Sequence, residues 1–174
     1  MISHISKSVF KETQKFDQWW IWALLTLSLA PNFIIIGEAL ENNSLNLTRD
    51  LFVLNSILGG VILLFWIMKL KTQIDKLGIK FTYVPFYKRA IAWSEITSLQ
   101  LIKYGFVGYG IRFFTGHGTI FNTKGNKGLA ITLKNGKRLV IGTQKPEEIE
   151  RFIENQKLGL KILPPNFHKK LSKK

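Results

Sequence analysis

The sequence predicts a membrane protein in two parts: a two-helix transmembrane hairpin, then an α+β domain of seven or eight antiparallel strands closed by one C-terminal helix. Three observations carry this. Two uncharged apolar stretches, Trp19–Gly37 and Leu51–Met68, lie near the start of the chain. From Lys71 onward the hydrophobic period becomes 2, that of a pleated strand. The net charge of +14 belongs entirely to that second part: residues 71–174 carry 20 Lys or Arg against 6 Asp or Glu, and residues 1–70 carry 5 against 5.

Leu51–Met68 is the stronger span. Twelve of its eighteen residues are Leu, Ile, Val or Phe, worth about −4 to −7 kcal/mol of insertion free energy. Eighteen helical residues rise about 27 Å, close to the ~30 Å hydrocarbon core. Trp19–Gly37 reads as the first span. Ser28-Leu29-Ala30 has the small-x-small form of a signal-peptide cleavage site, but Pro31 directly after it argues against cleavage and predicts a kink instead. The link Glu38–Asp50 reads as a polar loop; the sequons Asn42-Asn43-Ser44 and Asn46-Leu47-Thr48 are given no role.

Before the first span, Ile2, Ile5, Val9, Phe16 and Trp20 fall on one helical stripe, and Lys7, Lys11 and Lys15 lie away from it. That periodicity predicts an amphipathic interfacial helix within residues 1–18, a frayed tail being the alternative. Lysines flank both outer ends of the hairpin, whereas the loop carries Arg49 as its one basic residue. The positive-inside rule therefore puts both termini in the cytoplasm, with the protein multi-pass in the cell inner membrane. Trp19, Trp20, Trp22 and Trp66 sit at that same interface, as an aromatic belt requires. Ser56, Gly59 and Gly60, with Asn55, allow close helix approach in span two, either to span one or to another membrane protein.

The expected strands are Ile79–Tyr83, Arg89–Trp93, Ile96–Lys103, Tyr109–Phe114, Thr119–Asn122, Leu129–Leu133 and Lys137–Ile141. A helix then starts at Pro146, buries Ile149, Phe152 and Ile153, and runs to Lys157 before Gly159. The segments are thus 1–18, a hairpin at 19–70, the β-domain at 71–158, and a loose basic tail at 159–174. In the last hairpin, a two-residue loop at Asn135-Gly136 would set Leu139 and Ile141 against the wrong face. A type I turn with Gly136 as a bulge instead pairs Ile131 with Leu139 and Leu129 with Ile141, putting the large residues of both strands on one face.

No catalytic set assembles. The chain has no cysteine, and His4, His117 and His168 are far apart, His117 reading as a turn residue. Gly105, Gly108 and Gly110 open no helix and precede no Lys-Ser/Thr, so they read as strand-end positions rather than a phosphate loop. Most acidic residues of the β-domain sit on the last helix. No enzyme activity, cofactor or metal is expected. Arg112 and Lys127 are the most ligand-like cations, and a basic membrane-proximal face is expected from Lys69, Lys71, Lys88 and Arg89.

Ile91-Ala92-Trp93-Ser94-Glu95-Ile96 followed by a strand, and the run from Lys127 through the last hairpin and helix, resemble bacterial pleckstrin-homology-like (PH-like) domains. Such domains often follow a transmembrane hairpin. The resemblance implies a partly open antiparallel β-barrel with one end covered by the helix. Only Lys76 and Lys80 stand where phosphoinositide-binding members carry a basic cluster, so it implies no inositol-phosphate pocket. The layout is also similar to that of a photosystem I assembly factor, a likeness that carries no function by itself.

The expected role is a non-enzymatic interaction module, an accessory or assembly subunit whose partners are other membrane-protein subunits. The alternative is a sensor or binder of anionic lipid head groups. Nucleic-acid binding is not expected, since no recognition helix or RNA-binding motif is present. Homo-oligomerisation stays open.

Overall fold

The computed structural model describes residues 9–41, 45–105, 108–155 and 161–163, and its first element is a strand where the sequence predicts an interfacial helix. Strand β1 (Phe10–Lys15) alternates buried and exposed residues, with Phe10, Glu12 and Gln14 inward and Lys11, Thr13 and Lys15 outward. The inward residues are mostly polar, which hides the period of 2 from a hydrophobicity reading. Residues 1–8 of the expected helix lie outside the described residues.

The chain then leaves for the helices: α1 (Trp19–Leu27), α2 (Ala30–Glu41) and α3 (Leu45–Ile67). The expected kink is a break at Ser28–Leu29. Pro31 has no N–H to continue the ladder from α1, and it is accommodated in the first turn of α2. The Ser28 hydroxyl donates to the Leu25 carbonyl at 2.6 Å beside the break. The expected polar loop is largely helical, since α2 reaches Glu41 and α3 begins at Leu45; Asn42, Asn43 and Ser44 lie outside the described residues. Two helical stretches, Trp19–Glu38 and Arg49–Ile67, are long and apolar enough to cross a membrane, and only 6% of each is buried.

Among the described residues ten strands form two sheets. Beyond β1 they are β2 (Lys69–Asp75), β3 (Gly78–Val84), β4 (Tyr87–Ala92), β5 (Ile96–Lys103), β6 (Gly110–Thr115), β7 (Gly118–Asn122), β8 (Lys127–Leu133), β9 (Arg138–Gly142) and β10 (Lys161–Leu163). The first sheet has the order β1-β2-β3-β4 and is antiparallel throughout. The second has the order β10-β5-β8-β9-β7-β6, with parallel pairs β7·β9 and β10·β5. Among the described residues the two sheets form no closed barrel. Two expectations are corrected here. The pairing is not purely antiparallel. Residues 161–163 of the expected loose tail form a strand against β5.

Because β1 pairs with β2, the helical stretch is an insertion within a β-hairpin rather than a leader to the domain. The chain divides accordingly into a helical unit, Phe16–Met68, and a β-unit that includes β1 and everything from Lys69. The core of the β-unit draws on Leu70, Ile74, Ile79, Phe81, Tyr83 and Ile91 from the first sheet, and on Leu99, Phe121, Leu129, Ile131 and Ile141 from the second.

Helix α4 (Pro146–Asn155) buries Ile149, Phe152 and Ile153 as expected, and the Phe152 ring meets Phe10 of β1 at 6.4 Å. Lys157 and Gly159 lie outside the described residues. The last hairpin has the expected register, Ile131 opposite Leu139 and Leu129 opposite Ile141. Gly136 takes φ +80°, and its N–H donates to the Leu133 carbonyl at 2.9 Å. Val140, on the other face of β9, is buried as well, in a second cluster with Ile102, Tyr104 and Ile120.

Candidate functional site

Residues directly opposite one another in a ladder point to the same side of a sheet, so register decides which cations share a surface. Lys15, Lys69 and Val84 form one row across the first sheet. Thr13, Lys71, Thr82 and Lys88 form the next, and Lys11, Gln73, Lys80 and Ala90 the third. Six lysines, from four different strands, thus share one face. The opposite face is the buried one, carrying Phe10, Leu70, Phe81 and Ile91.

The charge on this face is graded. Lys80 pairs with Asp75 at 3.1 Å. Desolvation pulls the Asp75 carboxyl upward, but the Leu77 N–H, Lys80 and Gln73 together hold it below the usual range. Among the described residues no ion pair engages Lys11, Lys15, Lys69, Lys71 or Lys88. Rows are two residues apart along the strand, about 7 Å. Four of these five lysines therefore lie in the two rows at the end of the sheet where the chain enters the helices.

Of the four cations read from the sequence, three belong to this face. Arg89 does not, because it stands opposite Phe81 and so points to the inward side. Lys11 and Lys15 escaped the sequence reading because it placed them on a helix. The signal that would have found them is the alternation in Phe10–Lys15, which the polar inward residues obscure.

What holds β1 in place is itself polar. The Glu12 carboxylate accepts from the Thr143 hydroxyl at 2.7 Å and from the Gln144 N–H at 2.8 Å. Gln14 donates to the Gly142 carbonyl at 2.7 Å and accepts from the Thr123 hydroxyl at 3.1 Å. Burial raises the Glu12 carboxyl above its ordinary value, while these hydrogen bonds and nearby Lys145 oppose the shift. The network belongs to the fold, since each group is occupied in fixing a strand.

In the helical unit, the Phe16 and Phe65 rings meet edge-on at 5.6 Å, bringing the start of α1 beside the end of α3. Trp19, Trp20, Trp22 and Trp66 gather at that end. Trp19 and Trp66 are largely exposed, whereas the Trp22 indole donates to the Phe16 carbonyl at 3.0 Å. The small residues of α3 do not form the contact between the spans. Side chains built on Gly59 or Gly60 would meet nothing, and the Ser56 hydroxyl bonds back to the Phe52 carbonyl. The helices meet instead through Asn55, which donates to the Asn32 side chain at 3.3 Å.

The two ligand-like cations are separate. Lys127 pairs with Glu147 of α4 at 3.6 Å. The Arg112 guanidinium lies against Gly108, whose φ of +81° and lack of a side chain admit it. His117 is in the β6–β7 turn as expected, beside a small groove of about 170 Å³ that also takes in Gln100, Thr132 and Arg138. Burial raises the Tyr83 and Tyr104 hydroxyls, the latter to about 12, so neither ionises near neutrality. Among the described residues no three His, Asp or Glu come together as a metal site.

No protein-family model matches the chain, and no curated protein matches it. The chemistry on display is a row-by-row cluster of lysines on one face of a sheet.

Proposed function

We propose that the chain is a non-enzymatic, membrane-anchored interaction module. The lysine face orients its β-unit on anionic head groups, and other surfaces of that unit bind a second membrane protein as an accessory or assembly subunit would. The observation that carries this is the concentration of unpaired lysines at the end of the sheet where the helices are inserted. The screening length at physiological salt is ~8 Å, which takes in the first two rows and leaves Lys11 beyond. At about 1 kcal/mol per basic residue near an anionic surface, four such residues supply a few kcal/mol. That suffices to orient a tethered domain, because the anchor has already brought it to the surface.

The membrane reading is supported by the two outward-facing apolar helices and by tryptophans gathered at one end of them. Lysines on that flank support a cytoplasmic location for both termini by the positive-inside rule, with the helices in the inner membrane. The IAWSEI turn, in which the Trp93 indole donates to the Asp75 carbonyl at 3.0 Å, and the final hairpin and helix support a PH-like β-unit. The added strand β1 and the parallel pairs are departures from that pattern. The partner surface is assigned to β4, an edge strand of the first sheet.

The test uses the full chain in vesicles of phosphatidylcholine with and without phosphatidylglycerol. Changing Lys15, Lys69, Lys71 and Lys88 to Gln is expected to leave the helices embedded. It should also abolish the salt-sensitive approach of a fluorophore on the β-unit to the anionic surface. An approach that is unchanged by the substitutions defeats the orientation role. Complete loss of function from these changes, with every protein contact intact, favours the lipid-sensor reading.

A further inference from the structure

The turn between β3 and β4 sits at the anchor end of the first sheet. Val84, the last residue of β3, is opposite Lys69, and Tyr83 pairs with both Leu70 and Tyr87. Pro85 and Phe86 therefore project from the end of the sheet at the level of Lys69, one residue from Met68, where the helical unit ends. Phe86 is 58% exposed. An exposed phenylalanine at a turn tip has an unfavourable free energy in water, and nothing in the β-unit covers it.

The turn is also rigidly held. The Tyr87 ring stacks on Phe121 at 5.1 Å and lies 5.8 Å from Phe81, so the residue after Phe86 is fixed in an aromatic cluster of both sheets. The tip is flanked on the same face by Lys69 and Lys88, cations suited to phosphate head groups. The opposite end of the sheet makes a useful contrast. Leu77, in the β2–β3 turn, is 73% exposed, but it lies beside the Asp75–Lys80 pair and at the far end of the strands from the anchor.

We infer that the Pro85-Phe86 turn is a second membrane contact, in which Phe86 enters the head-group region of the bilayer that the helices cross. This rests on the membrane reading above and adds to it a contact made by the β-unit itself. The entry point of the chain limits how far the turn can lie from the helices. A peptide step is 3.8 Å, so a sheet end one residue from the helices stays within reach of the interfacial layer, which is several ångströms thick on each side. A phenylalanine carried there by a rigid turn contributes its burial without a large ordering cost. The lysines draw the sheet toward the surface, and the aromatic tip sets how far it goes.

The absence of native cysteine makes the test direct. Single cysteines at Phe86, Leu77 and Ile57 of the full chain are spin-labelled in phosphatidylcholine–phosphatidylglycerol vesicles. Collisions with oxygen and with a water-soluble nickel complex are then compared. The label at 86 is expected to lose nickel collisions and gain oxygen collisions relative to the label at 77, and the label at 57 to do so more strongly. Labels at 86 and 77 that are equally open to nickel, with 57 protected, overturn this inference and leave the membrane reading standing. A label at 57 open to nickel overturns both. As a second measurement, Phe86→Ser at an unlabelled tip should loosen the β-unit from the surface, read as an increased distance of a fluorophore at Ser98 from the bilayer. No change in that distance counts against the contact.

Discussion

Lys15 stands directly opposite Lys69 in the β1–β2 ladder, and everything between them in sequence is the helical insertion. The two flanks of the apolar helices are therefore fixed side by side by a β-hairpin. An even number of crossings is the arrangement compatible with that pairing.

This makes topology testable. With the flanks and β-unit cytoplasmic, a cysteine at Ser44 is expected to react with an impermeant reagent applied outside intact inner membranes, and one at Ser98 only after permeabilisation. Labelling of both from the same side would contradict the two-span reading, and a reversed pattern would contradict the charge rule.

Glu12 gives a pH dependence with a definite sign. Its carboxyl titrates above the ordinary 4.5 in the folded chain, so the folded state holds its proton more tightly than the unfolded one. The stability associated with that proton is complete below 4.5 and declines as pH rises through the folded value. Glu12→Gln keeps an acceptor for the Gln144 N–H and should flatten this decline in thermal melts. Glu12→Ala strands the Thr143 hydroxyl and Gln144 N–H, at a cost of about 1–3 kcal/mol. A pH profile unchanged by Glu12→Gln would show that the carboxyl is not perturbed.

Two glycines with positive φ should behave differently. Gly136 has φ +80° with open space around it, so Gly136→Ala should cost only the backbone term, about 1–2 kcal/mol. At Gly118 a Cβ would collide with the Arg138 carbonyl oxygen, so Gly118→Ala must also disturb the β7·β9 pairing. Chemical unfolding should rank Gly118→Ala well below Gly136→Ala in stability. Equal losses would mean that this close approach relaxes freely.

Between the helices, Asn55→Ala is expected to remove the bond to Asn32 and weaken the hairpin by about 0.6 kcal/mol. Gly60→Ala should leave the hairpin unchanged, because nothing lies near that position. Reversed effects in a detergent unfolding series would return the seam to the small residues.

The sequence by itself determined the elements whose signals are local. The two apolar runs specify that α1–α3 are helical, although the helices run on into the polar link between them. Asn135-Gly136 and the facing alternation specify the last hairpin, because a slip of one residue would turn every large side chain to the wrong side. The stripe Ile149, Phe152 and Ile153 specifies α4. Tertiary structure decided the rest. Strand β1 is a strand because Glu12 and Gln14 are matched by Thr143, Gln144, Gly142 and Thr123, more than 100 residues away. A polar inward face has no hydrophobic period to read until its partners are in place. The parallel pairs β7·β9 and β10·β5 join segments that no local pattern connects. The lysine face exists only in the register of four strands, one of them separated from its neighbour by the whole helical unit. That same register turns Arg89 inward and sets Phe86 at the anchor end. Which side a charge faces is a property of pairing, and pairing across such distances in sequence is fixed only when the two sheets form.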